Sequence, residues 1–326
     1  MKLVLHCGLH KTGSTSFQNA CLEAQPTLAE HGVLYPSTWE GGQFPLQHAE
    51  VALALLSGEV DRVISWLKGL QTGPKPDVDT ILISAEDLCS LFWVPRTLES
   101  FHHKAARLFD DVRYVLVLRR LGELVPSAIR QYLVHSGTCL LDPDARFDVS
   151  RYFRMVATFE DLLGPAVTTV SYATLRDSGR FCNALLDTCV PGRTAGLLTE
   201  RTDNAGAGRR DPTLYLTATL RGAIALSTGT NPYALRVEEE LGALLDPEAL
   251  AAAFRKPDGA ARATAFLDEA ADAFARREIT RQADALRAAY AGRAFLDFFL
   301  EDEGSGGRPD RPGSPGAELA DTGPSS

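Results

Sequence analysis

The apolar run Leu3-Val4-Leu5-His6-Cys7 stops at Gly8, and Gly13 follows five residues later, with Leu9-His10-Lys11-Thr12 between the two glycines. Ser14-Thr15-Ser16 then opens a helical pattern that continues to residue 31. A buried strand at 2–7, a basic glycine-punctuated turn and a helix, in that order, leave few folds open. The turn has the composition of a loop built for phosphate-like groups. In such a loop, backbone N–H groups converge on an anion and the helix N-terminus adds partial positive charge.

Gly8 and Gly13 have the spacing of the nucleotide-binding loop G-x-x-x-x-G-K-[ST], but the lysine has moved. Ser14 follows Gly13, and Lys11 stands two residues before it. The chain has only six lysines, so one inside this turn is not background.

Strand and helix patterns alternate through the first half. Val33-Leu34-Tyr35-Pro36 is a short extended piece after a helix stop at His31-Gly32, and a glycine-rich loop spans 37–47. Helical patterns cover about 47–57 and 59–71, and Gly-Pro-Lys-Pro at 73–76 is a linker. Thr80–Ser84 is a second buried strand, 96–109 a helix, Val112–Leu118 the clearest strand and 121–135 a helix. A helix at about 150–163 precedes a strand at Ala166–Ser171. Continuous apolar strands alternating with helices predict an α/β, three-layer α/β/α fold around a central parallel sheet. Beyond about residue 212 the chain is rich in alanine and arginine and reads as a helical C-terminal part. Residues 1–302 are expected to form one domain, and the Gly/Pro/Ser-rich 303–326 a disordered tail.

With 45% hydrophobic and 23% charged residues the composition is that of a soluble globular protein. The net charge of −9 argues against nucleic acid or an anionic membrane as partner, so an anionic ligand must be held by local cations. Six cysteines without C-x-x-C spacing indicate buried thiols, with neither zinc nor a disulfide framework. The first apolar run is too short for a signal peptide and no apolar stretch reaches about 18 residues, which makes the cytoplasm the expected location.

The strand Val115–Leu118 ends in Arg119-Arg120, and Ser127 stands eight residues past Arg119. An arginine at the carboxyl end of a strand in such a sheet faces the ligand crevice, and its planar fork suits a phosphate. A serine early in the next helix adds a donor. Which of the two arginines faces the crevice is left open by the sequence, since Pro126 implies a late helix start or a kink.

These two stretches resemble the sulfotransferases. His10-Lys11-Thr12-Gly13-Ser14-Thr15-Ser16 is similar to the 5′-phosphosulfate loop of their bacterial branch, and Arg119 with Ser127 to the element that binds the 3′-phosphate. The resemblance runs in order through residues 1–190 and fades in the C-terminal helices. It implies a sheet of P-loop nucleotide-binding type and 3′-phosphoadenosine 5′-phosphosulfate as co-substrate, without an obligatory metal. It also implies sulfuryl transfer to a hydroxyl, or less readily an amine, of a small molecule or carbohydrate, with Lys11 stabilising the bridging oxygen.

Two residues are candidates for the general base. Glu86 follows the strand Thr80–Ser84, and the pattern Ser84-Ala85-Glu86-Asp87 assigns Asp87 to capping, leaving Glu86 for chemistry. His48, just after the glycine-rich loop, titrates near neutral pH. A small-molecule kinase using ATP and magnesium is the rival reading, with Glu86 or Asp87 at the metal; against it stands Ser14 where a phosphate-gripping lysine belongs. A nucleotide-binding module without turnover is the third. Acceptor identity and oligomeric state are not written in the sequence.

Overall fold

A computed structural model of the chain describes residues 1–9, 11–37, 39, 48–72, 77–136, 147–192, 196–201 and 259–300. Their strands are β1 (Lys2–His6), β2 (Val33–Leu34), β3 (Thr80–Ser84), β4 (Asp111–Leu118) and β5 (Val167–Ser171). They form one five-stranded sheet in the order β2-β3-β1-β4-β5, with every pairing parallel. Parallel neighbours require crossovers, which cover both faces with helices. The fold is the three-layer α/β/α arrangement that the alternating pattern predicts.

Strand side chains alternate between the faces. Leu3, Leu5, Ile81, Ile83, Tyr114 and Leu116 join one core, against α3 (Ala49–Leu56), α4 (Val60–Gln71), α5 (Pro95–Leu108), α6 (Leu121–Ser136) and α7 (Ser150–Leu163). The C-terminal helices α10 (Gly259–Ala289) and α11 (Ala294–Leu300) close the same side. Val4, Leu82, Val115 and Val117 face the other core, under α1 (Ser14–Glu23), α2 (Gln25–Glu30), α8 (Tyr172–Asp177) and α9 (Phe181–Cys189). Phe17 of α1 is fully buried there, and removing such a side chain from water contributes roughly 1.5–3 kcal/mol.

Several sequence expectations shift in detail. The helix expected over 14–31 breaks at Ala24, because Pro26 has no N–H to continue α1 and instead sits in the first turn of α2. The segment after β3 is a 3-10 helix, Glu86–Trp93. Helix α6 begins at Leu121, ahead of Pro126, which lies inside it, so the late start is not what forms. Strand β5 starts at Val167, after a 3-10 turn over Gly164–Ala166. Helices α8 and α9 follow β5 without having been anticipated. His10, most of the glycine-rich loop, the 73–76 linker, 202–258 and the 303–326 tail lie outside the described residues.

The strand order locates the crevice. The connection leaving β1 runs past β3 to β2, while the one leaving β4 runs the opposite way to β5. Adjacent strands whose connections diverge leave a gap at their carboxyl ends, where ligands bind in open parallel sheets. Those two ends carry the Gly8–Gly13 turn and Arg119.

Candidate functional site

The turn after β1 is held from within. Thr12 Oγ1 donates to the Leu9 carbonyl at 2.6 Å, and the Cys7 N–H donates to Val115 O on β4 at 2.9 Å. Lys11 has φ 70°, the one non-glycine residue with positive φ among the described residues. A lysine held there is strained, as is common at ligand sites. Gly13, at φ 79°, caps α1 without a side chain, and the first turn of that helix has no acidic residue. Among the described residues no side chain caps the start of α1, the end of a helix that attracts anions. Ser14 is 1% exposed and its Oγ has no hydrogen-bond partner among the described residues. Ser16 is also buried, and Thr15 half-buried.

Gly8 is required by close approach. A Cβ there would meet Ser14 Oγ at 2.3 Å and the His6 ring at 3.1 Å. Gly13 is required twice over, by its φ and by Phe181, whose ring would stand 2.7 Å from an added Cβ. The turn is thus pressed against α1 below and α9 at its side, and its cradle exists because two side chains are missing.

Of the two arginines closing β4, Arg119 reaches the turn. Its Nη1 donates to the Lys11 carbonyl oxygen at 2.8 Å, and its Nε to Glu123 Oε2 at 3.0 Å. The guanidinium lies over the Tyr172 ring, 4.8 Å from the centroid, and Arg176 approaches Glu123 at 3.6 Å. Helix α8 and the first turn of α6 therefore aim Arg119. Ser127 is half-buried on α6, about 9 Å along the axis from the helix start.

Glu86 opens the 3-10 segment at the carboxyl end of β3. Its charge acts on Lys11, so the carboxylate and the ammonium share one neighbourhood. Burial lowers the Lys11 pKa below the ordinary lysine value, Glu86 opposes that, and the like charge of Arg119 adds to it. Lys11, Arg119 and Glu86, from three different strand ends, thus meet in one electrostatic site.

Ser84 does not cap as the sequence pattern suggests. Ala85 is the N-cap of the 3-10 segment and no side chain caps it. Ser84 Oγ turns inward instead, 2.8 Å from His6 Nδ1 and 3.2 Å from Gln18 Nε2.

His48 has a structural attachment at each nitrogen. Nδ1 accepts from the Ser84 N–H at 3.0 Å, and Nε2 donates to Pro36 O at 2.8 Å. The residue is 3% exposed, and burial lowers its pKa. It latches the end of β3 to the chain after β2. Arg201 is ion-paired with Glu23.

Sequence reasoning passed over His6, Gln18 and Glu123. Glu123 lies four residues after Arg119, the spacing of a helical ion pair, and that signal was available. A histidine ending an otherwise apolar run, as His6 ends Leu3-Val4-Leu5, was the other. Among the described residues no group of three His, Cys, Asp or Glu side chains is poised around a metal, and no helix is long and apolar enough to cross a membrane. The chain matches no protein-family model and no curated protein.

Proposed function

We propose that the chain is a sulfotransferase that uses 3′-phosphoadenosine 5′-phosphosulfate and sulfates a hydroxyl, or less readily an amine, of a small molecule or carbohydrate. The observation carrying this reading is the 2.8 Å bond from Arg119 to the Lys11 carbonyl at the switch point of the sheet. It brings two cationic elements into one crevice, as a nucleotide with phosphates at both ends requires. The residues fit that ligand: a helix N-terminus without a side-chain cap and a buried Ser14 hydroxyl without a partner among the described residues, beside a Gly8 cradle that a Cβ would fill.

In this reading the co-substrate supplies the activated sulfuryl group, and the protein supplies position and charge. Lys11 and the α1 N-terminus hold the 5′ end, where negative charge grows as the sulfuryl group departs. Arg119 takes the 3′-phosphate, and Ser127 assists from the next helix. Glu86 accepts the acceptor's proton as its oxygen bonds to sulfur. His48 orients the β3 end that carries Glu86, because both its nitrogens already serve the backbone.

Thermal shift separates this reading from its rivals. A ligand at 100 times its Kd stabilises the fold by about 2.7 kcal/mol. Stabilisation by 3′-phosphoadenosine 5′-phosphate supports the proposal; stabilisation by ATP with magnesium alone moves it to a kinase. Bisphosphate binding without sulfated product across an acceptor panel moves it to a binding module without turnover.

A further inference from the structure

Beneath the turn lies a buried polar chain with a directional logic. Ser84 O is a main-chain oxygen and can only accept, so the Gln18 atom 3.3 Å from it is the amide nitrogen. The same nitrogen donates to Ser84 Oγ at 3.2 Å. Ser84 Oγ also lies 2.8 Å from His6 Nδ1, and the buried Tyr35 hydroxyl bears on the same serine. When the Ser84 proton is directed to Nδ1, that nitrogen is an acceptor. A neutral His6 that accepts at Nδ1 carries its proton on Nε2. His6 is fully buried and neutral, its pKa driven down by burial.

That Nε2 has no hydrogen-bond partner among the described residues, and neither has Ser14 Oγ. Both border the same point: a Cβ on Gly8 would lie 3.1 Å from His6 Nε2 and 2.3 Å from Ser14 Oγ. The two atoms are therefore no farther apart than these distances together. A buried donor and a buried acceptor left open side by side are costly unless they serve a bound state.

We propose that His6 is a positioning residue for the Ser14 hydroxyl. Its Nε2–H donates to Ser14 Oγ, directly or through one buried water, when an anion occupies the turn. This occupies a lone pair of Ser14 and leaves the serine proton to point outward at the anion. The relay Gln18–Ser84–His6–Ser14 thereby makes Ser14 a donor, which favours an oxyanion over a neutral ligand. The inference rests on the proposed anion-binding role of the turn and adds the residue that orients its hydroxyl.

Asparagine and glutamine at position 6 separate the two ring nitrogens, since the asparagine amide reaches the Nδ1 position and the glutamine amide the Nε2 position. Affinity for 3′-phosphoadenosine 5′-phosphate is measured by calorimetry for wild type, His6→Asn, His6→Gln, Ser14→Ala and the His6→Asn/Ser14→Ala double variant. His6→Asn and Ser14→Ala are each expected to bind about tenfold more weakly, the value of one lost hydrogen bond to an ion. His6→Gln should stay near wild type, and the double variant should bind no worse than Ser14→Ala. Wild-type affinity in His6→Asn, or additive losses in the double variant, overturns the proposal while leaving the anion-binding turn intact. Absence of wild-type binding overturns the reading on which it rests. If His6→Asn does not fold, imidazole ¹⁵N NMR of the wild type and Ser14→Ala decides. A proton on Nε2 whose signal shifts in Ser14→Ala on adding the bisphosphate supports the relay, and a proton on Nδ1 refutes it.

Discussion

Arg119 donates from Nη1 to the carbonyl oxygen of Lys11 at 2.8 Å, joining the carboxyl end of β4 to the turn after β1. The two residues are far apart in sequence and adjacent only because β1 and β4 are neighbours in register. The contact holds the backbone of Lys11 in its left-handed conformation and places the guanidinium charge beside the lysine. Arg119→Lys keeps a charge and loses the fork. Since a hydrogen bond from a charged group contributes about 1.5–3 kcal/mol, calorimetry should show bisphosphate affinity down by tenfold or more. Unchanged affinity would detach Arg119 from the ligand.

Gly8→Ala places a methyl group 2.3 Å from Ser14 Oγ, in a wall formed by β1 and α1. Overpacking of this kind costs about 1–3 kcal/mol, and it displaces the Ser14 hydroxyl proposed to face the anion. Urea denaturation and ligand titration should therefore both register the change.

Gly13→Ala meets two separate obstacles, the φ of 79° and the Phe181 ring. The conformational part is about 1–2 kcal/mol. Made in a Phe181→Ala background, the substitution should cost less but not become neutral. A neutral result there would mean that the α1 cap tolerates a side chain after all.

Glu86→Gln should lower kcat strongly with bisphosphate affinity within a few-fold of wild type, because in the proposed reaction the carboxylate acts on the acceptor's proton. His48→Asn should act on stability ahead of kcat, since the ring bonds only to Pro36 and Ser84 main chain among the described residues. Full turnover in Glu86→Gln would return the base role to His48.

Acid should unfold this protein through its buried histidines. The unfolded chain protonates His6 in the ordinary histidine range, whereas burial holds the native ring neutral down to about pH 3. Between those limits the unfolded state binds the extra proton, so stability falls as pH falls, by about 1.4 kcal/mol per pH unit. His48 shifts in the same direction. Urea midpoints taken from about pH 7 to about pH 5 should decline in the wild type and decline less in His6→Gln.

The parts of this fold that the sequence displays are those where one physical constraint dominates. Leu3–Cys7, Thr80–Ser84 and Val112–Leu118 are mostly apolar because parallel strands are buried on both faces, and all three form strands where the pattern puts them. Arg119 and Glu86 are visible because each charge follows directly on such a run. What stayed hidden depends on long-range packing. The Phe181 ring that forbids a side chain at Gly13 arrives from a helix 168 residues downstream. Ser84 matches a local capping pattern, yet its hydroxyl is taken by His6 and Gln18, partners that only the β1–β3 pairing and α1 bring near. His48 has the residue type of a base but sits where Pro36 and Ser84 consume both nitrogens.

The most direct measurement is a calorimetric titration of wild type, Lys11→Ala and Arg119→Ala with 3′-phosphoadenosine 5′-phosphate, beside ATP with magnesium. One crevice gripping both ends of the bisphosphate requires clear wild-type binding, at least tenfold weaker in each variant, and no comparable response to ATP. Wild-type affinity for ATP–magnesium in place of the bisphosphate, or bisphosphate binding indifferent to both substitutions, would contradict it.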